Sequence, residues 1–75
     1  MTTLDTLKIG DEAEIVKINV SGELRKRLLS MGISKGVKII VNRLAPLGDP
    51  MEIKLNGFYL SLRKSEAQGI EILKL

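Results

Sequence analysis

The chain has 75 residues, of which 44% are hydrophobic, carries a formal net charge of +3, and contains neither cysteine nor histidine. This length supports one domain, residues 1–75, and the missing side chains exclude a disulfide framework and nearly every structural zinc site. They also remove the commonest general base and the thiol nucleophile, so we expect a protein that is not an enzyme and has no cofactor.

The first predicted element is a strand from Ala13 to Val20, which is rich in β-branched residues. Ala13 and Ile15 share one face of this strand, whereas Val16, Ile18 and Val20 share the other. A bulge near Ile15 and Val16 would let both sets reach one curved core. Such bends allow short strands to wrap into a small barrel.

A short helix is predicted after this strand. Its apolar face is built from residues at four- and three-residue spacing, namely Leu24, Leu28 and Met31. Gly32 is expected to end the helix in the left-handed conformation, with Ile33 packing back onto Leu28.

Four further strands follow, and their turns carry characteristic residues. Gly36 and Gly48 lie in turns, and Asn56-Gly57 is typical of a type I′ hairpin, in which both central residues need positive φ. We expect Phe58, the first residue after that hairpin turn, to lie in the core. The predicted strands are Val37–Arg43, Met51–Leu55, Phe58–Arg63 and Ile70–Ile72.

Together these elements predict a mainly β fold: a small SH3-like, five-stranded, partly open barrel with one short α-helix after the first strand. The OB-fold is the structural alternative, but its helix typically lies between the third and fourth strands. The position of the helix therefore favours the SH3-like barrel.

The N-terminal residues contain no basic segment followed by an apolar stretch, as a secretory signal would require. No apolar run approaches the roughly 18 residues needed to span a bilayer. We therefore expect a cytoplasmic protein.

The positive charge is concentrated in one stretch. Between Glu23 and Lys35 lie Arg25, Lys26 and Arg27, so this stretch carries the whole surplus and the rest of the chain balances to zero. Such a patch could meet nucleic acid, anionic lipid or an acidic protein face, or could simply be a solvated helix face. With a single Phe and a single Tyr the chain lacks a base-stacking platform, so nucleic acid is not the expected partner.

Iron binding by the chain itself would depend on its carboxylates, since it has no His or Cys. Asp11, Asp49 and Glu52 are possible ligands, but only Glu12 and Glu14 share a strand face on which two ligands could converge. These two remain candidate ligands for a transition metal, with a solvated acidic strand edge as the alternative. No metal site is predicted.

A protein interface is the remaining class of function. Ile40, on the strand face opposite Ile39, is expected to be exposed and would permit self-association. Leu29 could instead be half-buried packing, and the loop prolines could serve turn geometry alone. The predicted partner-binding surfaces are Arg25, Lys26 and Leu29 on the helix, and Pro46, Leu47 and Tyr59 as a second set.

Three stretches resemble one family in order and spacing. They are Arg27–Ile33 followed by Lys35-Gly36, the sequence APLGDP at Ala45–Pro50, and Gly57–Arg63 followed by Glu66, Ala67 and Ile70. Together they resemble the ferrous-iron transport protein A (FeoA) family, whose domain also occurs as the C-terminal SH3-like domain of iron-dependent repressors. Gly69 is a minor variation on the family pattern.

The resemblance implies a cytoplasmic accessory protein that regulates the large ferrous-iron permease by protein–protein contact. The partner surface would be the permease's cytoplasmic GTP-binding region or its membrane-embedded part, so the chain would meet the membrane only through its partner. The alternative is a nucleic-acid-binding or metal-dependent-repressor accessory domain. The chain contains no winged-helix segment, and this favours the transport accessory.

Overall fold

The structure, a computed structural model, describes residues 2–75. Five antiparallel strands form a single sheet in the spatial order β4-β3-β2-β1-β5. The strands are β1 (Glu12–Ile18), β2 (Lys38–Leu44), β3 (Met51–Leu55), β4 (Phe58–Leu62) and β5 (Ile70–Lys74). Helix α1 (Gly22–Ser30) separates β1 from β2, and the four-residue helix α2 (Lys64–Ala67) separates β4 from β5. The predicted mainly β architecture, with its helix after the first strand, is confirmed.

The bend predicted in β1 is present. A register shift between Ile15 and Lys17 interrupts the ladder that β1 forms with β5. Ala13 and Ile15, before the shift, are fully buried, whereas Ile18, after it, packs against the core while staying half-buried. The second apolar set of β1 therefore reaches the core only at its margin.

Helix α1 packs through the predicted apolar face. Leu28 is fully buried, and Leu24 and Met31 pack against the core while remaining partly exposed. Gly32 follows with φ of 95°, and the N–H of Ile33 donates to the Leu28 carbonyl at 3.0 Å. This backbone bond satisfies one of the carbonyls left free at the helix end, and the predicted left-handed ending is confirmed.

The hairpin between β3 and β4 has the predicted turn, but one residue beside it differs from expectation. Asn56 and Gly57 have φ of 48° and 83°, as a type I′ turn requires. Gly36 and Gly48 also have positive φ in their turns. The prediction that Phe58 is a core residue is wrong, since its side chain is 44% exposed. Phe58 is the first residue of β4, and its ring lies beside Gly32, just after α1. Its ring is therefore at the margin of the core and is not covered by it.

Strand β5 is longer than predicted and carries a buried acid. It continues past Ile72 to Lys74, and Glu71 lies buried between the two core isoleucines. The Asn19 side-chain amide donates a hydrogen bond to the Glu71 carboxylate, and Thr3 forms a β-bridge with Glu71. Strand alternation alone would place Glu71 on the outer, solvent-exposed face of β5. The contacts with Thr3 and Asn19 accompany its burial instead.

Ile40 is half-buried, not exposed as the sequence predicted. Its direct cross-strand partners are Glu12 on β1 and Lys54 on β3. Long side chains on both sides reduce the exposed area of Ile40, because directly opposite residues in an antiparallel sheet are close neighbours. Ile40 therefore offers less exposed apolar surface for self-association than the sequence predicted.

Candidate protein-binding surface

A groove runs between helix α1 and the second half of β1. The Arg25 guanidinium donates a hydrogen bond to the Ile18 carbonyl at 2.9 Å and so fixes the helix against the end of the strand. The groove encloses about 460 Å³ and is lined by Val16, Lys17, Ile18, Arg25, Leu29 and Lys35. Two of the residues predicted to bind a partner, Arg25 and Leu29, therefore lie in one concave surface.

The groove combines an apolar floor with a cationic rim. Val16, Ile18 and Leu29 supply the apolar atoms, and the Leu29 side chain is 43% exposed. Its charged lining residues, Lys17, Arg25 and Lys35, are all basic. A concave apolar surface rimmed by charges of one sign is suited to a ligand that carries apolar groups and the opposite charge.

Lys26, the third residue of the predicted helix surface, does not line this groove. Its ammonium lies 3.7 Å from the Glu23 carboxylate, one helical turn earlier, and both side chains are largely exposed. An exposed pair of this kind contributes little to stability. Lys26 therefore lies beside the groove as a solvated charge.

The second predicted surface lies elsewhere on the molecule. Leu47, in the loop between β2 and β3, is 91% exposed, and its neighbour Pro46 is also exposed. Tyr59 is 56% exposed on the outer face of β4, where the Lys54 ammonium lies 5.7 Å from the centre of its ring. None of these three predicted residues lines the groove at α1.

A second groove, of about 440 Å³, lies between α1 and β4, but two of its three charged lining residues pair with each other. Arg27 forms an ion pair with Glu66 across it. The Glu66 carboxylate also accepts the Arg63 N–H at 2.8 Å. These contacts tie α1 to α2 and leave fewer free charges for a ligand than the first groove offers.

Most of the carboxylates considered as iron ligands form hydrogen bonds or ion pairs within the fold. Asp11 accepts the Lys8 N–H at 2.8 Å and lies 3.6 Å from the Lys74 ammonium. The backbone hydrogen bond first, and then the Lys74 charge, lower the pKa of Asp11 below its ordinary value of 3.8. Asp49 accepts the Lys64 N–H at 3.0 Å.

Glu12 and Glu14 do share the outer face of β1, as predicted. Their cross-strand neighbours on β2 are Ile40 and Lys38, so neither β2 neighbour adds a third carboxylate. Glu52 accepts a hydrogen bond from Asn42 at 2.7 Å. Within residues 2–75, no group of three or more His, Cys, Asp or Glu side chains is placed to hold a metal ion.

The two aromatic residues of the chain are adjacent on β4. Both are exposed, but neighbouring residues in a strand point to opposite faces. Phe58 therefore shares the face of the core residue Leu62, whereas Tyr59 lies on the outer face opposite Lys54. This arrangement does not place both rings on one surface for stacking bases.

Comparison with known proteins identifies close relatives. The family model described as the FeoA domain matches residues 2–74. A protein described as an Fe(2+) transport protein A/Fe(2+) transporter FeoB fusion protein, from Porphyromonas gingivalis, is 41% identical over 69 residues. That match covers 92% of the chain and only 8% of the fusion protein. The solution structure of iron(II) transport protein A from Clostridium thermocellum is 41% identical, with a TM-score of 0.91, over 95% of this chain and 44% of that one.

Two more distant structures bear on the fold alone. Stenotrophomonas maltophilia FeoA, described as a procaryotic SH3 domain protein, is 22% identical with a TM-score of 0.84 over 96% of this chain and 89% of that one. A manganese-dependent transcriptional repressor is 20% identical with a TM-score of 0.90, over 99% of this chain and 36% of the repressor. The predicted SH3-like fold is confirmed. In the part of the chain that the structure describes, no helix has the length and apolar character to cross a membrane.

Proposed function

Because the chain belongs to the FeoA domain family, we propose that it is an accessory protein of ferrous-iron transport that binds and regulates a FeoB-type transporter. Its site of action would be the cytoplasmic side of the membrane. The contact would involve the transporter's GTP-binding region or its membrane-embedded part.

The observation that carries this proposal is the fusion of both partners in one polypeptide. In the Porphyromonas gingivalis relative, transport protein A and the transporter FeoB are parts of the same chain, and the part similar to this protein is 8% of its length. A covalent link raises the effective concentration of one part around the other to the millimolar range for short flexible linkers. Such a link favours a contact that separate chains would make more weakly.

Binding, and not catalysis, is the activity that the side chains support. The chain contains no His or Cys. The groove between α1 and β1 combines apolar side chains with basic residues that no carboxylate of the lining neutralises, which suits recognition of another macromolecule. The transporter would supply nucleotide hydrolysis and ion passage, and this chain would alter their rates.

The direct test uses the purified chain and a full-length FeoB-type transporter in lipid nanodiscs. Biolayer interferometry measures whether the two bind, and a parallel experiment uses the isolated GTP-binding region. GTP hydrolysis and ferrous-iron uptake into proteoliposomes are then measured with and without the chain. We expect binding to the intact transporter and a changed rate in at least one assay. Absence of binding together with unchanged rates would refute the proposal, as would turnover of a substrate by the chain alone.

A further inference from the structure

We infer that the groove between α1 and β1 is the docking site for an acidic segment of the transporter in which one or two large apolar side chains are flanked by Asp or Glu. This inference rests on the proposed function, because it assigns the surface and the chemistry of that same contact. The occupant enters with its apolar side chains against Val16, Ile18 and Leu29 and its carboxylates towards Lys17 and Lys35.

The charge distribution of the chain is concentrated at this groove. The segment from Glu23 to Lys35 carries the whole net charge of +3, and two of its basic residues, Arg25 and Lys35, line the groove. Lys17, from β1, adds a third cation to the lining. Within the lining no carboxylate neutralises them, in contrast to the α1–β4 groove, where Arg27 is paired with Glu66.

The apolar floor of the groove favours the displacement of water when a partner binds. Leu29 lies about 100° around α1 from the buried Leu28, and it keeps 43% of its surface exposed in the isolated chain. Val16 and Ile18 are half-buried on the facing strand. Anchoring apolar side chains in such a groove, inside a rim of charges, is the arrangement that concentrates binding energy at protein interfaces.

Charge complementarity selects this occupant over the two alternatives. A second copy of the chain would bring another net charge of +3 towards a basic groove, and repulsion opposes that pairing. An anionic membrane surface is typically held by clusters of about 4–8 Lys or Arg residues, more than the three that line this groove. An acidic, partly apolar protein segment can pack its apolar side chains on the floor and pair its carboxylates with the basic rim.

The test compares two groove variants with two controls of the same chemistry outside the groove. The groove variants are Leu29→Ser and the double variant Lys17→Glu/Lys35→Glu. The controls are Leu73→Ser, an exposed leucine on β5, and Lys64→Glu, an exposed lysine at the start of α2. Arg25 is left intact because its hydrogen bond to the Ile18 carbonyl holds α1 in place, so its loss would confuse folding with binding.

Affinity for the nanodisc-bound transporter is measured by biolayer interferometry, and thermal melts confirm that each variant is folded. We expect Leu29→Ser to weaken binding about 10-fold or more, because an anchoring leucine is lost. The charge reversal should weaken binding at least as much and should reduce its dependence on salt concentration. The controls should bind within about twofold of the unmodified chain.

The outcomes distinguish failure of the proposed function from failure of the docking site alone. If the unmodified chain does not bind the transporter, the proposed function fails and the docking site fails with it. If the chain binds but the groove variants bind equally well, or the controls lose affinity instead, only the docking site is refuted. Retention of the chain on vesicles containing anionic phospholipid, lost in the groove variants while transporter binding persists, would assign the groove to the membrane and overturn the inference.

Discussion

Gly69, in the turn between α2 and β5, is the glycine at which an added Cβ would overlap a neighbouring atom. Its carbonyl accepts the Asn19 N–H at 2.6 Å, which brings the β1–α1 connection against the start of β5. A Cβ built on Gly69 would overlap the Cγ1 of Val20, and it would also lie 3.5 Å from the Glu66 carbonyl oxygen. The φ of Gly69 lies outside the left-handed region, so close approach is the reason for glycine here.

The size of the effect follows from two opposing contributions. Replacing glycine by alanine at a position with a compatible backbone stabilises a protein by about 0.4–1 kcal/mol, because the unfolded chain loses freedom. Forcing an extra methyl into packed surroundings costs about 1–3 kcal/mol. Val20 is β-branched and cannot move one methyl away without moving the other, so the clash should prevail. We expect Gly69→Ala to reduce the free energy of unfolding by about 1–2 kcal/mol, or Tm by about 4–16 °C.

A double-mutant cycle tests this cause directly. Urea unfolding is measured for the unmodified chain, Gly69→Ala, Val20→Ala, and the combination of the two. Val20→Ala removes the clashing methyl, so the combination should lose clearly less stability than the sum of the two single changes. If Gly69→Ala alone is as stable as the unmodified chain, or if the two changes are simply additive, the overlap with Val20 is not what requires glycine.

Three further predictions concern turns and charges. Gly57→Ala should cost about 1–2 kcal/mol, because its φ of 83° is unfavourable for a residue with a Cβ, and a urea titration would show it. Asp49→Ala should cost about 0.5–2 kcal/mol in the same assay, since the Lys64 N–H at the start of α2 loses its acceptor. The pKa of Asp11 is lowered in the folded state, chiefly by the Lys8 N–H, so its contribution is present above the unfolded value of 3.8 and is lost as the pH falls below it. Asp11→Asn should therefore be less stable than the unmodified chain at neutral pH and equally stable in strong acid, and a difference that persists in acid would contradict this.

Local patterns were sufficient to predict most of the fold. Alternation of apolar residues located the later strands, and the Asn56-Gly57 pair predicted a turn that requires two positive φ values. Phe58 and Ile40 departed from expectation and Glu71 is buried although it alternates with two core residues, because alternation reports the face of a strand and not what covers it. Phe58 shares the face of the core but lies beyond its end, and Glu71 shares the outer face but is covered by the N-terminal residues and Asn19. Coverage by distant segments leaves no periodic signal in the sequence.

The candidate site was only half predictable for a related reason. Helical geometry correctly predicted that Leu29 is more exposed than Leu28, and the local excess of basic residues made Arg25 a candidate for partner binding. The sequence could not show that the Arg25 guanidinium binds the Ile18 carbonyl, because that contact depends on where α1 lies against the sheet. Nor could it show that Lys17 and Lys35 line the same groove, since the two residues are far apart in the sequence.

The irregularity of β1 connects the fold to the proposed docking site. In a regular strand successive side chains alternate between faces, so three consecutive residues would not line one groove. Val16, Lys17 and Ile18 do line one groove, and the register shift between Ile15 and Lys17 lies at its start. Bulges commonly redirect side chains next to functional sites. The bend that lets β1 curve around the core therefore lies beside the proposed docking groove, so the apolar and basic residues of that groove depend on the way the small barrel is formed.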